Sequence, residues 1–263
     1  MSVLSVEHVG VRFGGLVAIA DLHFDVKEGE ILSLIGPNGA GKTTAFNVVT
    51  GFLRPTQGEV KFRGTSLKGL SPHEINRLGL ARTFQRTSVF ADDTVLDNVL
   101  IALHGDAENA RLIDGWFNLP RERKAEAKRR EKAYAILDSV GLTSRADERA
   151  GAMSYGEQRL VGVALALATE PSMLLLDEPV SGMNPTETAN FARLVKRVRD
   201  SGVTILLVEH DMPMVMSVSD RIVVLNHGRL IADGPPAEIR ANPAVIEAYL
   251  GKSGARELER SHA

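Results

Sequence analysis

Hydrophobic and polar residues follow two different patterns along the chain, and each pattern predicts a different kind of strand. Over residues 3–35 apolar and polar residues alternate, as at Leu22, His23 and Phe24. An alternation with a period of two, interrupted by glycine-containing turns, is typical of antiparallel strands that bury one face. We therefore predict an antiparallel β region at the start of the chain.

Four other runs are almost continuously apolar and have a different interpretation. They cover residues 31–35, 173–176, 203–208 and 222–225. Strands that are buried on both faces, as in parallel sheets, have this pattern, and segments with helical spacing separate most of the runs. The chain is therefore predicted to be an α/β protein, with the antiparallel region attached to the N-terminal side of its core.

Residues from about 86 to 168 have the spacing that is typical of helices. Thr94 and Asp97 are placed like the two residues of a capping box, and apolar residues then recur at helical intervals. Residues 121–132 include seven basic and three acidic side chains, which we interpret as the solvated face of a helix. This part of the chain is therefore predicted to be a helical subdomain.

The end of the chain is predicted to contain one more helix. Apolar residues recur at helical intervals over residues 237–250, whereas residues 252–263 are polar. We expect the polar segment to be a flexible C-terminal tail. No internal repeat or low-complexity linker divides the sequence, and its length fits one large domain or two small ones.

The composition and charge of the chain exclude several kinds of function. The 263 residues include 31 Lys or Arg, 33 Asp or Glu and no Cys. Without cysteine there is no disulfide, no thiolate metal site and no cysteine nucleophile, and a nearly neutral charge disfavours a globally basic nucleic-acid-binding protein. No apolar run reaches the roughly 20 residues that span a bilayer, and the first residues do not resemble a signal peptide. We therefore expect a cytoplasmic protein.

The strongest chemical signal is a complete G-x-x-x-x-G-K-[ST] motif between the first buried run and a helix predicted at residues 44–51. The motif comprises Gly36, Pro37, Asn38, Gly39, Ala40, Gly41, Lys42, Thr43 and Thr44. Its glycines let backbone N–H groups surround phosphate oxygens, and the start of the helix adds a favourable dipole. We expect Lys42 to be exposed at the loop and to bind the β- and γ-phosphates, and the hydroxyl of Thr43 to ligate Mg²⁺.

Two acidic residues follow the apolar run at 173–176. Because ligands collect at the carboxyl edge of a parallel sheet, Asp177 and Glu178 are placed where a nucleotide site would form. We expect Asp177 to hold Mg²⁺ through water, and Glu178 to act as the general base that polarises the attacking water. Taken alone, the pair also fits a polar strand end at which Pro179 terminates pairing.

A third motif, at residues 154–158, precedes an apolar helical run at 160–168. Ser154 and Glu157 have the spacing of a capping box, and Gly156 lies between them. The capped start of a helix that also presents a serine hydroxyl and a glycine backbone can bind an anion. A structural role and a ligand-binding role are therefore compatible here.

Together, these motifs resemble those of the ATP-binding cassette (ABC) family of transport ATPases, over about residues 4–251, which the resemblance implies to form a single ATP-binding domain. The resemblance implies a P-loop NTPase core, with a mostly parallel sheet and flanking helices, an N-terminal antiparallel β subdomain and the inserted helical subdomain. It also implies that the chain binds ATP and Mg²⁺ and hydrolyses ATP. Residues 154–158 correspond to the signature motif of the family, although Glu157 stands where the family usually has glycine.

The same resemblance assigns roles to single residues. It implies that Ser154 and Gly156 contact the γ-phosphate of the nucleotide bound by the opposite subunit, and that His210 is the switch histidine that binds the γ-phosphate. Phe13 is the candidate for stacking on adenine, with a buried strand phenylalanine as the alternative. Gln85 corresponds to the glutamine that senses Mg²⁺ and the lytic water. The implied catalytic residues are Lys42, Gln85, Glu178 and His210, and the implied metal ligands are Thr43, Gln85 and Asp177.

Four segments carry a narrower resemblance, to the ATP-binding subunits of branched-chain amino-acid importers. They are residues 81–86, an insertion around 105–120, residues 208–212 and the closing segment 242–251. The resemblance implies a subunit on the inner face of the cell membrane, paired with a second ATP-binding subunit that is either a copy of itself or a paralogue. It further implies two integral-membrane permease subunits and, indirectly, a periplasmic solute-binding protein, with no nucleic acid.

One further position departs from the family pattern. Asn184 stands where the family usually has aspartate, in a loop that lies across the dimer. The departure concerns the coupling between the two sites of a dimer rather than the chemistry of either site.

Three alternatives remain open. A lipopolysaccharide-export ATPase is a close cousin within the same family. Non-transport ABC ATPases of the DNA-repair or translation-factor kind usually fuse two cassettes or carry long coiled coils or zinc-binding cysteines, which this sequence lacks. A kinase that shares only the phosphate loop would not need the signature segment or His210. The transported solute never contacts the ATPase, so the sequence does not identify it.

Overall fold

The computed structural model describes residues 2–83, 89–104 and 120–251. In these ranges the strands are β1 (Ser2–Phe13), β2 (Leu16–Lys27), β3 (Ile31–Ile35), β4 (Gln57–Phe62), β5 (Thr65–Ser66), β6 (Leu80–Arg82), β7 (Met173–Asp177), β8 (Thr204–Val208), β9 (Arg221–Asn226) and β10 (Arg229–Gly234). The helices are α1 (Lys42–Val49), α2 (Pro72–Arg77), α3 (Val95–His104), α4 (Pro120–Val140), α5 (Tyr155–Ala168), α6 (Pro185–Asp200), α7 (Met212–Val218), α8 (Pro236–Ala241) and α9, which covers residues 243–251.

These strands form one continuous sheet in the order β5-β4-β1-β2-β10-β9-β3-β8-β7-β6. Strands β9, β3, β8, β7 and β6 are parallel neighbours, whereas β1, β2, β4 and β5 pair in an antiparallel manner. The two parts meet through β10, which is antiparallel to β9 and contacts β2 beside Asp21. The predicted α/β core with an N-terminal antiparallel region is therefore confirmed.

The central parallel strands are buried along their whole length because different elements cover their two faces. In β7, Leu174 and Leu176 belong to a cluster formed with α3, α4, α5 and α6. Met173 and Leu175 belong to a second cluster, which includes Phe46 of α1 and residues of β1, β2 and β4. Alternate residues thus enter two different cores, which explains why these strands are continuously apolar.

Strand β6 lies outside the predicted apolar runs. It contains only Leu80, Ala81 and Arg82, and it pairs in parallel with β7 at the edge of the sheet. Three residues are too few to show a period, and the strand ends in a charged residue. For these reasons the hydrophobic pattern does not reveal it.

The predicted helical region contains α3, α4 and α5, which pack against one another. The hydroxyl of Thr94 accepts a hydrogen bond from the N–H of Asp97 at 3.0 Å, which confirms the predicted start of a helix. The buried side chain of Asn98, in the first turn of α3, holds the segment before the helix. It accepts a hydrogen bond from the N–H of Phe90 and donates one to the carbonyl oxygen of Phe90.

The prediction of one final helix over residues 237–250 is wrong, because α8 ends at Ala241 and α9 begins at Pro243. Proline has no N–H group and disfavours a helical conformation in the residue before it. Asn242 is accordingly extended. Its side-chain oxygen accepts a hydrogen bond from the N–H of Ala244 at 2.9 Å and so starts the second helix.

The domain boundaries stay predictions. The predicted domain start at residue 4 falls inside β1, and the predicted helical subdomain at about 86–168 spans α3 to α5. The predicted tail at residues 252–263 lies outside the described residues. Across the ranges that the structure describes, each helix is too short or too polar to cross a membrane.

Strand β1 contains a bulge that the backbone of β4 approaches closely. Between Glu7 and Gly10 the register with β4 shifts, and His8 has a positive φ of 48°. Gly58 lies against this bulge with a φ of 78°, and a Cβ there would be 2.2 Å from the carbonyl oxygen of His8. Position 58 therefore requires glycine, both for its backbone conformation and because no side chain fits.

We expect Gly58→Ala to destabilise the fold much more than Gly64→Ala. Gly64 also has a positive φ, of 77°, but a Cβ there would meet no atom within 4 Å. Both variants carry the cost of a left-handed alanine, about 1–2 kcal/mol, and the backbone clash at Gly58 costs roughly 1–3 kcal/mol more. Urea denaturation followed by circular dichroism measures both variants, and equal losses of stability would contradict the clash.

Candidate ATP-binding site

The phosphate loop joins β3 to α1, and two of its three glycines lie against the backbone of neighbouring strands. Gly36, Gly39 and Gly41 have φ angles of 153°, 78° and 107°. A Cβ at Gly36 would be 2.1 Å from the carbonyl oxygen of Leu225, and one at Gly41 would be 2.9 Å from that of Ala18. The path of the loop between β9 and β2 therefore requires glycine at these two positions.

Helix α1 begins without a side-chain cap, which leaves its first N–H groups available to a ligand. Its N-cap residue is Gly41, and the helix begins at Lys42, two residues earlier than predicted. By contrast, α2, α5 and α6 all begin with complete capping boxes. An uncapped helix directly after a glycine-rich loop is suited to bind a phosphate group.

The expectation that Lys42 is exposed is wrong. Its side chain is buried, and the Nζ atom donates hydrogen bonds to the carbonyl oxygens of Gly36 at 2.7 Å and Pro37 at 3.0 Å. Burial lowers the pKa of Lys42, and the nearby carboxylate of Glu178 opposes that shift. The carbonyl groups of the loop thus hold the ammonium group in place, where phosphate oxygens can replace them.

Asp177 ends β7 at the carboxyl edge of the sheet and is almost fully buried. Its Oδ2 atom accepts a hydrogen bond from the guanidinium of Arg82 at 2.8 Å. Its Oδ1 atom is also buried and has no hydrogen-bond partner among the described residues. A buried carboxylate oxygen without a partner is costly, so this atom fits a cation or a cation-bound water, and the Mg²⁺ role of Asp177 stays a prediction.

Arg82 is a residue of the site that the sequence motifs do not reveal. From the end of β6, its guanidinium donates hydrogen bonds to Asn47 at 2.8 Å and Thr50 at 3.0 Å, in addition to the one to Asp177. It also lies over two phenylalanine rings, 5.4 Å and 5.6 Å from their centroids. Arg82 therefore connects the edge strand, the helix after the phosphate loop and the acidic end of β7.

Glu178 follows Asp177 in a strained backbone conformation. Its φ of 45° is uncommon for a residue other than glycine, and its N–H donates a hydrogen bond to the carbonyl oxygen of Val208 at 2.8 Å. Strain of this kind persists where the surrounding structure enforces it, which is typical of functional sites. Because β3 and β7 both pair with β8, Glu178 lies at the same edge of the sheet as the loop that carries Lys42, and its carboxylate opposes the lowering of the pKa of Lys42.

His210 follows β8 at the same edge of the sheet, and its side chain is 60% exposed. The adjacent Glu209 is buried, and its Oε2 atom accepts hydrogen bonds from the N–H groups of His210 at 2.8 Å and Asp211 at 3.1 Å. Its Oε1 atom accepts a hydrogen bond from the N–H of Val180 at 3.0 Å. One carboxylate thus fixes the loop of His210 against the loop after β7. Glu209 is missing from the predicted site, although an acid directly after an apolar run is the signal that also marks the end of β7.

Ser154 and Glu157 form the predicted capping box at the start of α5. The N–H of Ser154 donates to Glu157 Oε2 at 2.9 Å, and the N–H of Glu157 donates to Ser154 Oγ at 3.3 Å. The Oε1 atom of Glu157 pairs with Arg145 at 3.0 Å. Gly156 lies against α6, since a Cβ there would be 3.4 Å from the carboxylate of Glu187. No hydrogen bond found among the described residues joins Ser154 or Gly156 to the phosphate loop of the same chain.

Three predicted residues remain, and the structure describes two of them, Phe13 and Asn184. Phe13 lies beside the tip of the β1–β2 hairpin and is 50% exposed, so the alternative of a buried strand phenylalanine is wrong. Asn184 caps α6 by accepting a hydrogen bond from the N–H of Glu187 at 3.0 Å, a role that aspartate fills equally well. Gln85 lies outside the described residues.

A glycine-rich phosphate loop, a buried lysine and acids at the ends of adjacent parallel strands define a nucleotide-binding protein of the P-loop class. The family model described as ABC transporter matches residues 19–181. A second one, described as branched-chain amino acid ATP-binding cassette transporter, matches residues 229–255. The chain belongs to the ABC transporter family and is an ATPase of that family.

The chain is similar to named relatives over nearly its whole length. It is 44% identical over 252 residues to the high-affinity branched-chain amino acid transport ATP-binding protein BraF of Pseudomonas aeruginosa, a match that covers 95% of this chain and 98% of that protein. It is 43% identical over 251 residues to LivG of Escherichia coli K12, which has the same description, with the same 95% and 98% coverage.

Two solved structures show the same fold. The ADP conformation of MJ1267, an ATP-binding cassette of an ABC transporter, has a TM-score of 0.83 and 32% identity, and the match covers 96% of this chain and 100% of that one. The dimeric post-hydrolysis state of the cassette MJ0796, bound to ADP and Pi, has a TM-score of 0.73 and 25% identity, with 89% and 98% coverage.

We expect Arg82→Met to destabilise the protein by about 3–5 kcal/mol, because it leaves the buried carboxylate of Asp177 without its ionic partner. The side chains of Arg82 and Asp177 are 10% and 2% exposed. Asp177→Asn removes the carboxylate charge, so the double variant should be more stable than Arg82→Met alone. Chemical denaturation of the parent, both single variants and the double variant gives the coupling energy. Purely additive effects would contradict a stabilising ion pair.

Proposed function

We propose that this chain is the ATP-hydrolysing subunit of an ABC importer for branched-chain amino acids, or for a closely related amino acid or amide. The observation that carries the proposal is 43–44% identity, over 95% of the chain, to two branched-chain amino acid transport ATP-binding proteins. The family match at residues 229–255 supports the same solute class, because it lies outside the phosphate loop and its acidic neighbours.

In the proposed site, residues 36–44 and the uncapped start of α1 bind the phosphates of ATP. Lys42 exchanges its two carbonyl partners in the loop for oxygens of the β- and γ-phosphates. Phe13, which is exposed beside the hairpin tip, stacks on the adenine ring. Because Lys42 is already held among acceptor atoms, its charge is positioned before the nucleotide binds.

Thr43, Asp177 and Gln85 would hold Mg²⁺, which neutralises charge on the β- and γ-phosphates when it is bound. The Oδ1 atom of Asp177, which has no hydrogen-bond partner among the residues that the structure describes, supports this assignment. Thr43 is exposed at the start of α1, where its hydroxyl is accessible to a ligand of the loop.

Glu178 is the proposed general base. Its carboxylate accepts a proton from the water that attacks the γ-phosphate, and His210 donates a hydrogen bond to the same phosphate. The strained backbone of Glu178 and its hydrogen bond to Val208 support a fixed position at the end of β7. The buried Glu209 supports a similarly fixed loop for His210.

The proposed site is completed by a second ATP-binding subunit, either a copy of this chain or a paralogue. Ser154 and Gly156 bind the γ-phosphate held by that subunit. Ser154 Oγ accepts the N–H of Glu157, so its own hydrogen remains for donation to a phosphate oxygen. Two integral-membrane permease subunits and a periplasmic solute-binding protein complete the importer, with this chain at the inner face of the membrane.

We expect Glu178→Gln to bind ATP, to lose hydrolysis and to accumulate as an ATP-loaded dimer. The amide cannot accept a proton, and loss of a general base typically reduces the rate by about 10²–10⁴-fold. The phosphate ligands are unchanged, so the γ-phosphate stays in place to join the two subunits. Phosphate release and size-exclusion chromatography, with and without ATP, measure the two effects. Hydrolysis at the parent rate would remove Glu178 from its catalytic role.

Lys42→Ala serves as the matched control, because it should already lose ATP binding, the step that precedes hydrolysis. Each lost charge-assisted hydrogen bond to phosphate costs about 1.5–3 kcal/mol, so ATP binding should weaken by at least tenfold. This variant should therefore remain monomeric in ATP, unlike Glu178→Gln. Fluorescent nucleotide titration tests it, and parent-like affinity would contradict the assignment of the phosphate loop.

The solute class is tested separately from the ATPase chemistry. In cells that lack this chain, labelled leucine uptake should fall, and the parent sequence should restore it whereas Glu178→Gln should not. Restoration of urea or amide uptake, without leucine uptake, would change the solute and leave the ATPase assignment intact. Purification from solubilised membranes should recover polytopic partner subunits, and purely soluble partners would favour a role outside transport.

A further inference from the structure

We propose that His8, Asp21 and His23 form a binding site for a transition-metal ion such as Zn²⁺, on the exposed face of the β1–β2 hairpin. Each side chain offers one ligand atom, and these atoms all lie within 4.8 Å of one another. None of the three residues belongs to the nucleotide site described above.

The geometry of the two strands gathers the three side chains. Asp21 and His23 are two residues apart in β2 and therefore project from the same face of the sheet. His8 reaches that face because of the bulge in β1, where successive paired positions are three residues apart in β1 but only two apart in β2. Without the extra residue, the alternation of β1 would place the side chain of residue 8 on the other face of the sheet.

The bulge is a built feature of the fold rather than an irregular loop. His8 has a φ of 48°, a strained conformation for a residue other than glycine, and Gly58 provides the space that its carbonyl group needs. The result is close contact: His8 Nδ1 lies 3.0 Å from Asp21 Oδ1, and the rings of His8 and His23 are 5.4 Å apart. Strain that serves to juxtapose polar side chains points to a binding role.

Two imidazoles and one carboxylate form a ligand set that suits Zn²⁺, Ni²⁺, Co²⁺ or Cu²⁺ rather than Mg²⁺ or Ca²⁺. Ligand atoms about 2.0–2.2 Å from a tetrahedral zinc ion lie roughly 3.4 Å from one another. The 3.0 Å between His8 Nδ1 and Asp21 Oδ1 is close to that value, so a metal ion can replace the shared proton with a small adjustment. His23 is exposed and can rotate to supply the third ligand, and water completes the coordination.

The charged residues around His8, Asp21 and His23 do not block the access of an ion to these three side chains. Arg229 of β10 is the backbone neighbour of Asp21, but no ion pair between the two is found among the described residues. Glu7, next to His8, is paired with Lys61 at 2.7 Å. The side chain of His8 is 75% exposed, so an ion can reach the cluster directly from solvent. A bound ion would link β1 to β2 in the hairpin that presents Phe13.

The test is Zn²⁺ binding to the full chain without an affinity tag, measured by competition with a chromophoric chelator. His8→Asn preserves the bulge, because asparagine tolerates a positive φ, and removes the imidazole. This variant and His23→Ala should each bind zinc at least about tenfold more weakly, since even outer partners of metal ligands contribute that much. Asp21→Asn should also weaken binding, whereas the exposed His73→Ala should not.

Two further readouts separate a metal site from a surface hydrogen bond. Zn²⁺ should shift the imidazole nitrogen signals of His8 and His23 together, and it should raise the melting temperature of the parent but not of the double variant His8→Asn, His23→Ala. Mg²⁺ at the same concentration should have neither effect. Equal zinc affinity and stoichiometry in the parent and in the variants would overturn the proposal, as would a response to Mg²⁺ like that to Zn²⁺.

Discussion

The nucleotide site depends on the pairing register of three parallel strands, β3, β8 and β7. Val208 is paired with both Leu34 and Asp177, so the three strands end in one row at the same edge of the sheet. The segments that follow them are the phosphate loop, Glu178 and the Glu209–His210 pair, and they emerge side by side for this reason. A slip of one residue would turn the side chains of a strand from one core cluster to the other. Packing on both faces of the sheet therefore fixes the register, and with it the positions of the residues that follow each strand.

Buried charged side chains then fix the segments that the strand register places side by side. Arg82 joins β6 and α1 to Asp177, and Glu209 joins the loop after β8 to the loop after β7. The net stabilisation from such buried groups is small, because desolvation offsets much of the electrostatic attraction. Their main contribution is geometric, since each one fixes the relative position of segments that are distant in the sequence. Lys42 is held in the same manner by the carbonyl groups of its own loop.

The parts of this fold that burial dictates could be predicted from the sequence, and those that depend on tertiary contacts could not. Continuous apolar runs identify β3, β7, β8 and β9 because each of these strands is buried on both faces. The edge strand β6 is too short to carry a pattern, so Arg82 had no signal of its own. The buried position of Lys42 depends on the conformation of the loop around it, which residue types alone do not specify. The break at Asn242 was predictable in principle from Pro243, but helical periodicity continues across it.

The candidate site shows the same division. The phosphate loop and the two acids at the end of β7 could be located by motif, since a chemical requirement fixes both residue type and spacing. Glu209 carries a similar positional signal, yet its function is to bind backbone N–H groups, and no motif specifies those partners. The roles proposed for Ser154 and Gly156 involve a second subunit, so the structure of a single chain does not contain the contacts that would define them.

The glutamate in the signature segment is compatible with phosphate binding because its charge is satisfied locally. A free carboxylate one residue from Gly156 would repel a γ-phosphate. Instead, Glu157 Oε2 accepts the N–H of Ser154 and Oε1 pairs with Arg145, while the start of α5 favours a negative side chain. The N–H of Glu157 in turn occupies an acceptor position on Ser154 Oγ, which leaves the hydroxyl hydrogen as a donor. Glycine at this position could form neither the capping box nor the ion pair. The substitution therefore exchanges backbone freedom for a capping box and an ion pair that hold the serine hydroxyl at the start of α5.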